Sequence, residues 1–154
     1  MPVSTLVADL LARADDLEGV TMSGGEPFQQ IEGMLAFLDE IRTRTRLSVI
    51  ILSGYALREI ASMPGGRQAL GYIDVLIAGR YVAQRRRPFG LRGSSNKQVH
   101  LLTDRYRIED FDSTPPAEVL VTATGDIIVS GIVPPTVREM IDTTHAAQRT
   151  HPRP

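Results

Sequence analysis

The chain has 154 residues, 42% hydrophobic and 23% charged, with a formal net charge of −1; this is one ordinary domain with enough apolar mass for a core. So small a net charge supplies no global field for nucleic acid or an anionic membrane surface, and 5% aromatics without Trp supply no stacking platform for single strands. Cysteine is absent, which removes disulfides, zinc–thiolate sites, thiolate nucleophiles and thiolate-held iron–sulfur clusters from these residues.

Neither a signal pattern nor an apolar run of roughly 18 residues is present, so the expected location is cytoplasmic, with no membrane partner. Ser4 is the expected N-cap of a first helix with Leu6, Leu10, Leu11 and Ala14 on one face, ending near Leu17. Gly19 to Met22 follows as a first strand. Gln29 to Thr43 reads as a second amphipathic helix with Ile31, Leu35, Leu38 and Ile41 inward. Leu47 to Leu52 is nearly continuous apolar, as a strand covered on both faces should be. A short helix over Leu57 to Met63 stops at Pro64-Gly65-Gly66, and a third strand runs from Ile73 to Ile77. Strands alternating with helices imply an α/β fold with a parallel sheet and right-handed crossovers.

Ligands of such sheets lie at the carboxyl ends of the strands, and each of those ends carries glycine: Gly24 and Gly25, Gly54, Gly79. The stretch Gly19-Val20-Thr21-Met22-Ser23-Gly24-Gly25-Glu26-Pro27 reads as strand, ligand loop and helix start. Glycines admit positive φ and close approach of a ligand to the backbone, and Pro27 suits a first helical turn. Free N–H groups at a helix start favour an anion, whereas Glu26 would repel a phosphate. Together they fit a zwitterion, its carboxylate on N–H groups and its ammonium on Glu26. The competing reading is a tight strand-to-helix turn in which Glu26 only complements the helix dipole.

Downstream, Arg80, Arg85, Arg86, Arg87 and Arg92 crowd around Pro88 and Gly90, a run that reads first as solvated surface. Arg92-Gly93-Ser94-Ser95-Asn96 is a tight polar turn able to line a site. Val99 to Leu102 is a fourth strand, and Asp104-Arg105-Tyr106 closes an excursion. Val119 to Ala123 and Ile127 to Val133 flank Thr124-Gly125-Asp126 as a β-hairpin. Pro134-Pro135 introduces a helix through Val137, Met140 and Ile141, and a polar tail over residues 145–154 is expected to be disordered after a domain spanning 1–144. His100 reads as a structural strand residue, and His145 and His151 show no metal-ligand spacing. No Ser has a His partner at a comparable strand end, so no hydrolase triad is assigned.

In order along Val3 to Tyr106, the blocks Gly19–Pro27, Leu52-Ser53-Gly54-Tyr55, Ile73-Asp74-Val75-Leu76-Ile77-Ala78-Gly79 and Arg92–Asn96 resemble the radical S-adenosylmethionine activating enzymes of the anaerobic ribonucleotide reductase type. That resemblance implies a partial (β/α) barrel, S-adenosylmethionine as cofactor, a 4Fe-4S cluster in complete members, and a glycyl-radical enzyme such as anaerobic ribonucleotide reductase as partner. Carried over, Ser23, Gly24, Gly25, Glu26 and Pro27 form the loop that meets the methionine amine and carboxylate. Ser53 and Gly54 lie near the ribose or methionine end. The family's CxxxCxxC cluster loop has no counterpart before Gly19, Ala78 stands where the family usually has Asp, and Lys97 where it has Gln. The chain therefore reads as an N-terminally incomplete member, inactive alone in radical chemistry, with an exposed sheet edge open to self-association. Its alternatives are a non-catalytic relative that binds S-adenosylmethionine, a nucleotide or a partner, and a decayed remnant.

Overall fold

The computed structural model describes residues 2–87, 89–112, 114–115, 117–121 and 127–131. Helix α1 (Val3–Leu11) leads through a short 3-10 turn into strand β1 (Gly19–Met22). A second 3-10 turn, Pro27–Gln30, feeds helix α2 (Ile31–Arg44), followed by β2 (Ser48–Leu52), α3 (Leu57–Ser62), α4 (Gly66–Leu70) and β3 (Val75–Ala78). A long excursion then reaches β4 (Gln98–Leu101), and α5 (Ile108–Asp112) precedes a separate antiparallel pair, β5 (Ala117–Val121) and β6 (Ile127–Gly131).

The main sheet has the order β1-β2-β3-β4. Its first three strands are parallel, as the alternation of strands and helices requires, and β4 returns antiparallel to β3. The expected α/β sheet is thus present, with β1 outermost at one side among the described strands.

Both faces of β2 and β3 are covered, which explains their continuous apolar sequence. Val49, Ile51 and Leu76 pack with Leu38, Ile41 and Ile60 of the helical layer. On the opposite face Ile50, Val75 and Ile77 pack with Phe111 of α5, supported by Leu52, Leu91, Val99 and Tyr106. The split follows the two-residue alternation of a strand. Tyr106 meets Phe111 edge-on, with centroids 5.6 Å apart, and its hydroxyl lies 2.6 Å from Ser48 Oγ. Each such fully buried aliphatic or aromatic side chain contributes roughly 1.5–3 kcal/mol.

Several expectations need correction. Leu6 is 40% exposed, and Val7 is the buried residue of α1; the apolar stripe runs through Val3, Val7, Leu10, Leu11 and Ala14, and Leu6 lies about a quarter-turn away from it. The N-cap of α1 is Pro2 rather than Ser4. In α2, Met34 and Phe37 are buried alongside Leu38 and Ile41, whereas Ile31 and Leu35 lie at the margin. The sequence pattern stops a helix at Pro64-Gly65-Gly66 and predicts none directly after it, whereas Gly66–Leu70 forms α4; α5 was not expected either. The expected hairpin is present as β5 and β6; its turn at Thr124-Gly125-Asp126, the Pro134-Pro135 helix and the 145–154 tail fall outside the described residues. Among the described residues no helix is long and apolar enough to cross a membrane.

Candidate functional site

At the carboxyl ends of the parallel strands, Gly24 and Gly25 follow β1 with φ of 80° and 55°. A Cβ built on either would meet nothing within 4 Å, so the pair forms an open cradle whose backbone only glycine adopts without strain. Glu26 then caps the turn that begins at Pro27, accepting from the Phe28 N–H at 3.3 Å. Pro27 is buried and Ser23 exposed.

The Glu26 carboxylate also reaches the end of β2. Its Oε1 accepts from the Ser53 hydroxyl at 2.8 Å, and its Oε2 accepts from the Gly54 N–H at 2.7 Å. Ser53, 2% exposed, in turn accepts from the Tyr55 N–H at 3.0 Å. A Cβ on Gly54 would lie 3.2 Å from Glu26 Oε2, so a side chain there would require the carboxylate to give by a few tenths of an ångström. From the end of β3, the Gly79 N–H donates to the Tyr55 carbonyl at 2.9 Å. The expected residues Glu26, Ser53 and Gly54 are therefore brought into direct contact, with Gly24 and Gly25 beside them.

Glu26 is consequently more than a free anion facing a ligand. Three of its roughly four acceptor positions are taken by protein donors, and the carboxylate knits two strand ends together. Lys97, half-buried beside Gly79, joins the same rim. Burial pushes its ammonium below the usual value of 10.5, and the Glu26 carboxylate partly opposes that. The only sequence signal for Lys97 was its departure from the family's usual Gln.

The Arg92–Asn96 turn serves the excursion between β3 and β4. Ser94 is fully buried and its Oγ accepts from the Val82 N–H at 3.4 Å; Asn96 Nδ2 donates to the Arg80 carbonyl at 2.7 Å. Arg92 pairs with Asp112 of α5 at 3.0 Å, and Arg87 with the same carboxylate at 3.7 Å. Half-buried His100 carries a buried Nε2 with no hydrogen-bond partner, and burial lowers its pKa from 6.5.

A second carboxylate organises the opposite, amino ends of the strands. Asp74, 1% exposed, pairs with Arg42 Nη2 of α2 at 2.7 Å, accepts from the Val49 N–H at 2.8 Å and accepts from the Thr103 hydroxyl at 2.7 Å. Burial alone would raise its pKa; Thr103, the Val49 N–H and the Arg42 guanidinium outweigh that and hold it below 3.8. A hollow of about 540 Å³ opens near that end, lined in part by Ala14, Leu17, Thr43, Arg46 and Leu47. It lies away from the rim where parallel sheets hold ligands.

No cysteine occurs in the 154 residues, and among the described residues no group of His, Cys, Asp and Glu is placed to hold a metal ion. The residues present do not fit a 4Fe-4S cluster. They do fit an amino-acid head group, which needs backbone N–H donors in an open loop and a nearby carboxylate with an acceptor position left.

Residues 3–100 match the family described as a 4Fe-4S single cluster domain. The chain is 30% identical over 99 residues to an anaerobic ribonucleoside-triphosphate reductase-activating protein of Haemophilus influenzae, covering 62% of this chain and 63% of the relative. It is 33% identical over 104 residues to the protein of that name from Vibrio cholerae, covering 64% of each. A third, from Pasteurella multocida, is 30% identical over 90 residues, 56% of this chain and 57% of the relative. The matched region thus spans less than two thirds of these relatives' length. No solved structure matches significantly. With its matched segment running from α1 through the site rim into β4, the chain belongs to the 4Fe-4S single cluster domain family.

Proposed function

We propose that this chain grips S-adenosylmethionine at the Gly24–Gly25 loop and acts with an anaerobic ribonucleoside-triphosphate reductase as its partner, in the cytoplasm. The observation that carries the reading is the open glycine cradle next to a carboxylate that ties the β1 loop to the end of β2. Three parallel strands with their helices fit part of a radical S-adenosylmethionine (β/α) barrel, and the names of the relatives supply the reductase.

Gly24 and Gly25 present backbone to the methionine carboxylate without a Cβ in the way. Glu26 offers its remaining acceptor position to the ammonium, a charge-assisted contact. Ser53 and the Gly54 N–H act as positioning groups that fix Glu26, and Pro27 sets the loop's exit into the following turn. S-adenosylmethionine, when bound, supplies an activated sulfonium; no step through a cluster is derived from these residues. The second reading, a binding relative that performs no radical chemistry itself, is favoured by the lack of thiolate ligands in the sequence.

Isothermal titration calorimetry of the full chain tests the proposal. S-adenosylmethionine should bind at one site, ATP more weakly, and Gly25→Val should weaken S-adenosylmethionine binding by about tenfold or more, since it combines backbone strain with a filled cradle. Absence of S-adenosylmethionine binding by the unaltered chain sinks the reading. Tighter binding of ATP would replace it with a nucleotide site.

A further inference from the structure

The excursion between β3 and β4 displays cations and aromatics that the fold itself does not use. Arg80, Arg85 and Arg86 are exposed, and their guanidinium groups make no ion pair among the described residues. Tyr81 and Phe89, 55% and 62% exposed, are the two most exposed large apolar side chains described. Isolated apolar residues on a surface need no explanation, but aromatics interspersed with unpaired arginines in one segment have the composition of an interface anchor.

The segment is also ordered from within. The Ser95 N–H donates to the Arg85 carbonyl at 2.8 Å and the Arg87 N–H to the Gly93 carbonyl at 3.1 Å, while Arg86 and Ser94 form an antiparallel bridge. The Gly90 N–H donates to the Thr114 carbonyl at 2.8 Å, which fastens the far side of the excursion to the segment after α5. A backbone held in this way loses little conformational entropy when it meets a partner.

We propose that this excursion is a docking surface for an acidic segment of a protein partner. The charge it presents is local and interrupted: Arg87 and Arg92 share the single Asp112 carboxylate, and α5 beside them exposes Glu109 and Asp110. Such a mixed pattern suits the register of one protein surface and penalises a long polyanion, which needs a continuous basic track. Exposed Tyr and Phe supply the desolvated anchors, and the arginines supply paired contacts to carboxylates.

The inference rests on the proposed function in that the partner tested is the anaerobic ribonucleoside-triphosphate reductase of the source organism. Biolayer interferometry with the full chain and the purified reductase, at about 50 and 300 mM salt, reads it directly. The expected result is binding that weakens with salt. It should fall about tenfold or more in Arg85→Glu/Arg86→Glu and in Tyr81→Ala/Phe89→Ala, and stay unchanged in Arg13→Glu, with circular dichroism and S-adenosylmethionine affinity as wild type. Equal binding by the excursion variants overturns the docking surface and leaves the proposed function standing. No binding by the wild-type chain overturns both. Tight binding of a labelled single-stranded oligonucleotide that these variants lose, with the reductase displaced, overturns the protein partner in favour of nucleic acid.

Discussion

Two carboxylates stand at opposite ends of the same sheet, and they are used in opposite ways. Asp74 is buried, paired with the Arg42 guanidinium and bonded to Thr103 and Val49, so its charge is balanced inside the fold. Glu26 receives only neutral donors from Phe28, Ser53 and Gly54, and it adjoins a loop whose glycines face open space. A carboxylate that is hydrogen-bonded but not ion-paired keeps its attraction for a cation. The contrast separates an end of the sheet whose carboxylate is ion-paired from an end whose carboxylate is only hydrogen-bonded, the end to which the proposed ligand is assigned.

The largest effect should come from breaking the ion-paired end. Asp74→Ala leaves Arg42 partly buried without its counter-ion and the Val49 N–H without its acceptor, and should cost about 3–5 kcal/mol in urea unfolding. A loss below about 1 kcal/mol would show that Asp74 and Glu26 do not differ as described. Glu26→Gln should cost less, about 1–2 kcal/mol, because the amide retains an oxygen but turns donors toward the Gly54 N–H or the Ser53 hydroxyl. It should nevertheless reduce affinity for S-adenosylmethionine more than Asp74→Asn does, measured by calorimetry on folded protein. The reverse order would assign the ligand to the wrong end.

The smallest effect is in the pH dependence. Asp74 has a folded pKa below its ordinary 3.8, so its contribution is complete above that value and is lost as the pH falls through the lowered folded value. His100, lowered from 6.5 by burial, also favours the folded state most above 6.5, and that advantage declines on acidification toward its own folded value. Urea midpoints should therefore fall in two stages as the pH drops. Asp74→Asn should abolish the stage below 3.8 and leave the earlier one.

The strands were legible because apolar runs closed by glycine survive in any tertiary context, and the glycine cradle was legible because positive φ leaves few residue choices. The short helix over Leu57 to Ser62 was legible too, but two others were not. Gly66–Leu70 and Ile108–Asp112 are 5 residues each, too short to hold by propensity, and they exist because Ala69 and Phe111 are buried against neighbours. Glu26 was identified, but its bonds to Ser53 and Gly54 join residues 27 and 28 positions apart, a separation that carries no local pattern. Asp74 was placed within the third strand, but its role was hidden for the same reason: its partners Arg42 and Thr103 lie 32 and 29 positions away.

Strand β4 joins the two ends. It pairs Ala78 with Gln98 and Val75 with Leu101, so Lys97 stands just before it at the glycine-lined rim and Thr103 just after it at Asp74. The Leu102 N–H, donating to the Asp74 carbonyl at 2.8 Å, and the Thr103 hydroxyl clamp its far end. A strand slipped by one residue would turn every side chain to the other face, and the clamp forbids that. The buried acid thereby acts as a ruler: from five strand positions away, on the order of 16–17 Å, it sets the height at which a lysine enters the rim beside Glu26.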